Sequence, residues 1–216
     1  MANGVVPFTD ILIPIRFYGF DSVMYLVSAL IGFLVSFYAF RLFELTEKKF
    51  HFYLYLGFTI ISMGLLTIAI TSGYVYLNYF RTGQYLGTDA YSSVDDFGYW
   101  IYYATSLIGY GILSLIYLPE KKKFFPLLIP VWFKGFPYFQ IVSFFVLSYI
   151  VFRSAVNFAT KKNLNTFLVF AAFGAIALYH LLLFFTFFGK IVYVVAHFSL
   201  LAGFLSLLIM LLRVRK

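Results

Sequence analysis

Cysteine is absent from the 216-residue chain. That excludes disulfides, thiolate metal sites, iron–sulfur clusters and a cysteine nucleophile. Charge is scarce: 11% of residues are Asp, Glu, Lys or Arg, against about a quarter in an ordinary soluble domain. The 8 acidic residues all fall outside the long apolar runs, so carboxylate-based proton or sodium coupling has no evident carrier within a span. No glycine-rich phosphate loop, HExxH element or Gly-x-Ser-x-Gly elbow occurs. No nucleophile stands beside a base and an orienting carboxylate. The chain is therefore expected not to be an enzyme.

What is present in excess is apolar and aromatic. Hydrophobic residues make up 63% of the chain and aromatic residues 24%, and the mean hydropathy is +0.93. A soluble fold of this size lacks the interior to hide so much apolar surface, whereas a bilayer removes the need. A spanning helix takes about 20 mostly apolar residues. Five runs meet this length: residues 22–43, 52–76, 97–118, 165–188 and 191–212. A sixth, residues 136–158, carries Arg153 near one end, where it can snorkel. The expected fold is an all-α integral membrane protein, a polytopic bundle of six transmembrane helices, or seven if a further segment crosses. Residues 81–96, with Asp89, Asp95 and Asp96 among glycine and serine, read as a solvent-exposed loop. The N-terminal stretch lacks a basic n-region and does not read as a cleavable signal.

Two shorter apolar segments contain prolines, residues 7–20 and 124–136, and they resemble each other. LIPIRFYGF at 12–20 aligns with LIPVWFKGF at 128–136, identical at 6 of 9 positions. The correspondence continues: Val27 and Ser28 with Val142 and Ser143, Phe58 and Ile61 with Phe173 and Ile176, Tyr102 with Tyr193, and Gly111 with Gly203. The order of matches predicts an internal duplication. Residues 1–118 form a first repeat, a proline-containing lead-in plus three helices with the loop at 81–96. Residues 119–216 form a second, with its lead-in at 124–136. If the lead-ins lie at the interface without crossing, the second repeat is inverted, a plan frequent among carriers.

The 16 Lys and Arg residues form short clusters between apolar runs, not one nucleic-acid-binding face. They suit lipid headgroups. Six spans place eight basic residues on each face. Were residues 124–136 to cross, twelve would gather on one face and four, Arg16, Arg81, Lys134 and Lys190, on the other, a strong positive-inside bias. Pro126, Pro130 and Pro137 argue against a helix there, which favours six spans.

Candidate chemistry centres on His180 and His197. They lie nine residues before and eight after Gly189, so about 12 Å into the membrane on neighbouring helices. Two imidazoles at one depth suit axial ligation of a b-type haem or, more simply, hydrogen bonds to adjacent helices. His51 reads as a solvated interfacial residue. A substrate path would involve Thr105, Ser106, His197 and Ser62. The hydroxyls of Thr67, Thr71 and Ser72 are expected to bond back to their own helix. Metal ligands are not expected. The function expected first is that of a non-enzymatic membrane subunit, scaffold or sensor in the cell membrane, in contact with lipid and with protein partners or its own copies, and not with nucleic acid. The alternatives are a small-solute permease with its site at the repeat interface, and a haem electron carrier using His180 and His197.

Overall fold

A computed structural model describes residues 18–82, 89–118, 136–186 and 189–215. They form six α-helices: α1 (Tyr18–Thr46), α2 (Lys49–Thr82), α3 (Asp89–Ser114), α4 (Phe136–Lys161), α5 (Leu164–Phe184) and α6 (Lys190–Arg215). Five of them, all except α3, are long and apolar enough to cross a membrane. α3 has the length, at 26 residues, but much of its surface is hydroxyl-bearing. Its Tyr99, Tyr102, Ser106, Tyr110 and Ser114 are buried against protein, so this helix does not depend on lipid for its environment.

The expected loop at 81–96 is corrected in part: α2 runs on to Thr82, and residues 89–96 are the first turns of α3. At 34 residues, α2 is about 50 Å long, more than a hydrocarbon core of about 30 Å requires. Tyr74, Tyr79 and Phe80 are exposed on the last turns of α2, as suits aromatic side chains near a membrane interface. The lead-ins at 7–20 and 124–136 fall outside the described residues, except that Tyr18 to Phe20 open α1 and Phe136 opens α4.

Polarity is distributed inside out. Asp21, Ser28, Ser62, Ser106, Gln140, His180 and His197 are buried, while Leu30, Phe37, Phe145, Phe152, Ile191 and Phe198 face outward. Water would penalise this arrangement and a bilayer rewards it. The multi-pass membrane class expected from composition therefore stands.

The helices close into a ring, each packing on the next in chain order and α6 on α1. Contacts along each seam fix the directions. Phe20 and Tyr25 lie against His197, and Gly32 faces Phe204, so α1 and α6 are parallel. Phe139 stacks on Tyr103 at 4.2 Å, and Tyr149 donates to the Tyr117 carbonyl, so α3 and α4 are parallel too. The two three-helix halves consequently run in the same sense, not inverted. The reason is geometric: α3 ends and α4 begins at opposite ends of the ring.

Similar devices occur in the first three helices and in the last three. The chain leaves α1 through Glu47 (φ 52) and α4 through Lys162 (φ 47). Their amides donate to the carbonyls of Phe43 and Phe158 respectively, a left-handed C-terminal cap in each case. Gly109 of α3 packs on Gly57 and Ile61 of α2, as Gly203 of α6 packs on Ala172 and Ile176 of α5. In space Gly203 therefore corresponds to Gly109, two residues from the Gly111 that sequence alignment selects.

Candidate functional site

The ring interior is polar at its centre. α1 opens with Asp21 in its first turn, where a carboxylate complements the positive end of the helix dipole. The parallel packing of α1 and α6 sets that carboxylate against His197, Asp21 Oδ1 lying 3.8 Å from His197 Nε2 with both side chains fully enclosed. The Tyr193 hydroxyl stands near enough to act on the same carboxylate, although neither Asp21 oxygen has a partner at strict hydrogen-bond distance. Asp95 of α3 is a second carboxylate whose charge reaches Asp21. The expectation that no span carries a buried carboxylate is thereby corrected. The apolar run was taken to begin at Ser22, whereas the helix starts at Tyr18 and includes Asp21.

The proton inventory of this contact follows from its hydrogen bonds. His197 Nδ1 lies 3.0 Å from the Tyr193 carbonyl. A carbonyl only accepts, so Nδ1 carries hydrogen. In the neutral ring Nε2 is then a lone pair aimed at a carboxyl oxygen. Two lone pairs repel, so one proton belongs between them, on the carboxyl or on the imidazole. With one proton the pair is neutral overall. A second proton leaves a net buried cation, and loss of the only proton leaves a net buried anion, both costly in this setting.

From this pair a chain of aromatics crosses the ring. Tyr25 packs on His197 with centroids 5.1 Å apart. Its hydroxyl meets that of Tyr179 at 3.2 Å, which meets that of Tyr102 at 3.1 Å. Side chains of α1, α5 and α3 thus share one hydroxyl chain across both halves. Sequence reasoning missed it, since among 19 tyrosines nothing local marks these three.

His180 belongs to a separate cluster. Its Nδ1 is 2.6 Å from Gln140 Oε1 and its Nε2 is 2.9 Å from the Tyr110 hydroxyl. Nδ1 donates to the amide oxygen and Nε2 accepts from the phenol, so both ring nitrogens are committed and the ring is neutral. The Tyr179 ring lies edge-on to each histidine, 4.8 Å from His180 and 5.7 Å from His197, and does not let them converge. This arrangement does not fit two axial ligands around one haem. Among the described residues no group of three His, Cys, Asp or Glu side chains is placed to hold a metal ion.

The other candidates scatter. Thr105 bonds back to the Ile101 carbonyl and packs beside Gly64 of α2. Ser62 sits at the α1–α2 contact beside Gly32, and Ser106 is enclosed near Tyr102. Thr67 and Thr71 bond back to the carbonyls of Met63 and Ile68 as expected, whereas the buried Ser72 hydroxyl does not. His51 is corrected: it is 7% exposed, because α2 begins at Lys49 and its first turn rotates the ring inward.

Comparison with protein-family models, with curated proteins and with solved structures finds no match to this chain.

Proposed function

We propose that this chain is a non-enzymatic, proton-responsive sensor or regulatory subunit of the cell membrane, with the Asp21–His197 pair as its proton-binding site. The observation that carries this reading is the enclosed contact between two ionisable groups, one from each half, across the α1–α6 seam. Ionisable side chains inside a membrane are costly and concentrate where function needs them. A change in the proton count turns a neutral seam into a charged one, which biases how the halves pack. The test is a pH titration of the protein in nanodiscs, followed by tyrosine fluorescence and by solvent accessibility at the seam. The expected result is a reversible transition that Asp21→Asn removes or displaces. A wild-type response flat from acid to alkaline pH would rule the reading out.

The architecture supports three further statements about the same molecule. The halves are a duplication related by an axis along the membrane normal, as their shared caps and glycine contacts favour. α3 ends and α4 begins at opposite ends of the ring, which favours the seven-span alternative over six. Among the described residues the end formed by the last turns of α1, α3, α4 and α6 carries Arg41, Lys48, Lys49, Arg153, Lys161, Lys162, Arg213 and Arg215, and the other end Arg81 and Lys190. That bias assigns the basic end to the cytoplasm.

A second reading, a small-solute permease, draws on the same parallel halves with polar groups at their seam. The dense packing of Tyr25, Tyr102, Tyr179 and His197 weighs against an open path in this conformation. Solute flux in proteoliposomes that depends on Asp21 would decide in its favour.

A further inference from the structure

The first and last three helices meet along two seams, α1 against α6 and α3 against α4. The Asp21–His197 pair sits at the first. Tyr25 packs on His197 there, and the Asp21 charge acts on its hydroxyl. Tyr102 sits at the second seam, its ring 5.5 Å from that of Phe139 on α4. Tyr179 of α5 stands between them, its hydroxyl 3.2 Å from that of Tyr25 and 3.1 Å from that of Tyr102. All three tyrosines are buried. Beyond Tyr102, the Ser106 hydroxyl is near enough to act on the phenol.

A phenol carries one hydrogen and accepts through its lone pairs. Tyr179 therefore donates to one neighbour and accepts from the other. Accepting from both would strand its own buried hydrogen, which is costly. The chain is thus polarised in one of two senses. In the first, Tyr25 donates to Tyr179, Tyr179 to Tyr102, and Tyr102 turns its hydrogen toward Ser106. In the second, Tyr102 donates to Tyr179 and Tyr179 to Tyr25, leaving the Tyr25 hydrogen to turn toward the pair. Passing between them takes three rotations about C–O bonds. No bond breaks and no proton leaves its oxygen.

The charge of the pair selects the sense. An anionic pair attracts the hydrogen ends of the chain, and a cationic pair repels them, with little screening in this enclosed interior. Other ionisable groups face the same place: Asp95 and Tyr99 from α3, Tyr193 from α6, and His180 beside Tyr179 on α5. From α2, Tyr76 lies beside Gly19, and α4 presents Gln140 and Phe139.

We infer that Tyr179 is a positioning residue that carries the charge state of the Asp21–His197 pair, as the polarity of this hydroxyl chain, from the α1–α6 seam to the α3–α4 seam. The inference rests on the proton-responsive reading of the pair. The test is a pH titration of the protein in nanodiscs with carbon-13 at tyrosine Cζ, whose shift reads the hydrogen bond of each phenol, and nitrogen-15 in the histidine rings. In the wild type the Cζ signals of Tyr25, Tyr179 and Tyr102 are expected to move with the midpoint of His197. Tyr179→Phe keeps the ring and removes the hydroxyl. There His197 and Tyr25 still move, and the Tyr102 shift is lost. In Asp21→Asn the Tyr102 midpoint follows that of His197 wherever it goes. If Tyr179→Phe does not fold, Tyr25→Phe interrupts the chain one step earlier, with the same loss expected at Tyr102. A Tyr102 signal that stays still in the wild type while His197 moves overturns the inference alone. So does an undiminished Tyr102 shift in the interrupted chain, or a Tyr102 midpoint that parts from that of His197. His197 signals that stay still from acid to alkaline pH overturn the sensor reading, and this inference with it.

Discussion

For single side chains, the two buried histidines make opposite predictions. His197 faces a carboxylate 3.8 Å away, and the pair is neutral with one proton on either group, so wild-type stability in nanodiscs is expected to pass through a maximum with pH. It falls on the acid side as the pair takes a second proton, and on the alkaline side as it loses the first. The single variants split this profile. In Asp21→Asn only the imidazole titrates, so stability is lost as pH falls and the alkaline limb disappears. In His197→Gln only the carboxyl titrates, so stability is lost as pH rises and the acid limb disappears. Denaturation midpoints at several pH values read both limbs. His180 is fully satisfied by Gln140 and Tyr110. Gln140→Leu is therefore expected to cost about 0.5–2 kcal/mol, the range for interhelical hydrogen bonds in membranes, with no change in the shape of the pH profile.

Among the helices, caps and close contacts dominate, because lipid offers no hydrophobic drive between helices and leaves packing to decide. Glu47 and Lys162 both adopt the left-handed conformation, which glycine reaches without a Cβ penalty. Glu47→Gly and Lys162→Gly are each expected to stabilise the protein, by about 0.5–1 kcal/mol, measured as a raised unfolding midpoint. Gly203 is the opposite case. A Cβ there would lie 2.9 Å from the Ala172 carbonyl oxygen and 2.7 Å from the Ile176 side chain. The carbonyl is backbone and cannot move aside, so Gly203→Val is expected to destabilise the α5–α6 pair by about 1–3 kcal/mol. Loss of monodisperse protein on size exclusion, or a lowered midpoint, would show it.

For the molecule as a whole, the absence of cysteine makes the chain a ready background for topology mapping. Single cysteines at Glu47 and Lys162 are expected to react with a membrane-impermeant maleimide from the same side, and one at Thr186 from the other. Inverted halves would instead put Glu47 and Lys162 on opposite sides. The same-side outcome also fixes the Asp21–His197 pair near the face opposite Glu47 and Lys162.

The membrane class and most of the helices were legible in the sequence, because the bilayer's demand for about 20 consecutive apolar residues is a local property of the chain. The apolar positions aligned in the sequence, Phe58 and Ile61 with Phe173 and Ile176, are all buried. Only the tertiary structure decided the relative sense of the halves. The prolines near residue 130 favour six spans and the charge asymmetry favours seven, and neither is a contact; the packing of α1 on α6 and of α3 on α4 is what shows the first and last three helices running in the same sense. It also decided which polar groups meet. Depth along a helix follows from counting residues, and it put His180 and His197 level. The azimuth at which each side chain leaves its helix, and the neighbour it then faces, depend on how six helices close into a ring. That closure turned His180 toward Gln140 and His197 toward Asp21, and it enclosed His51.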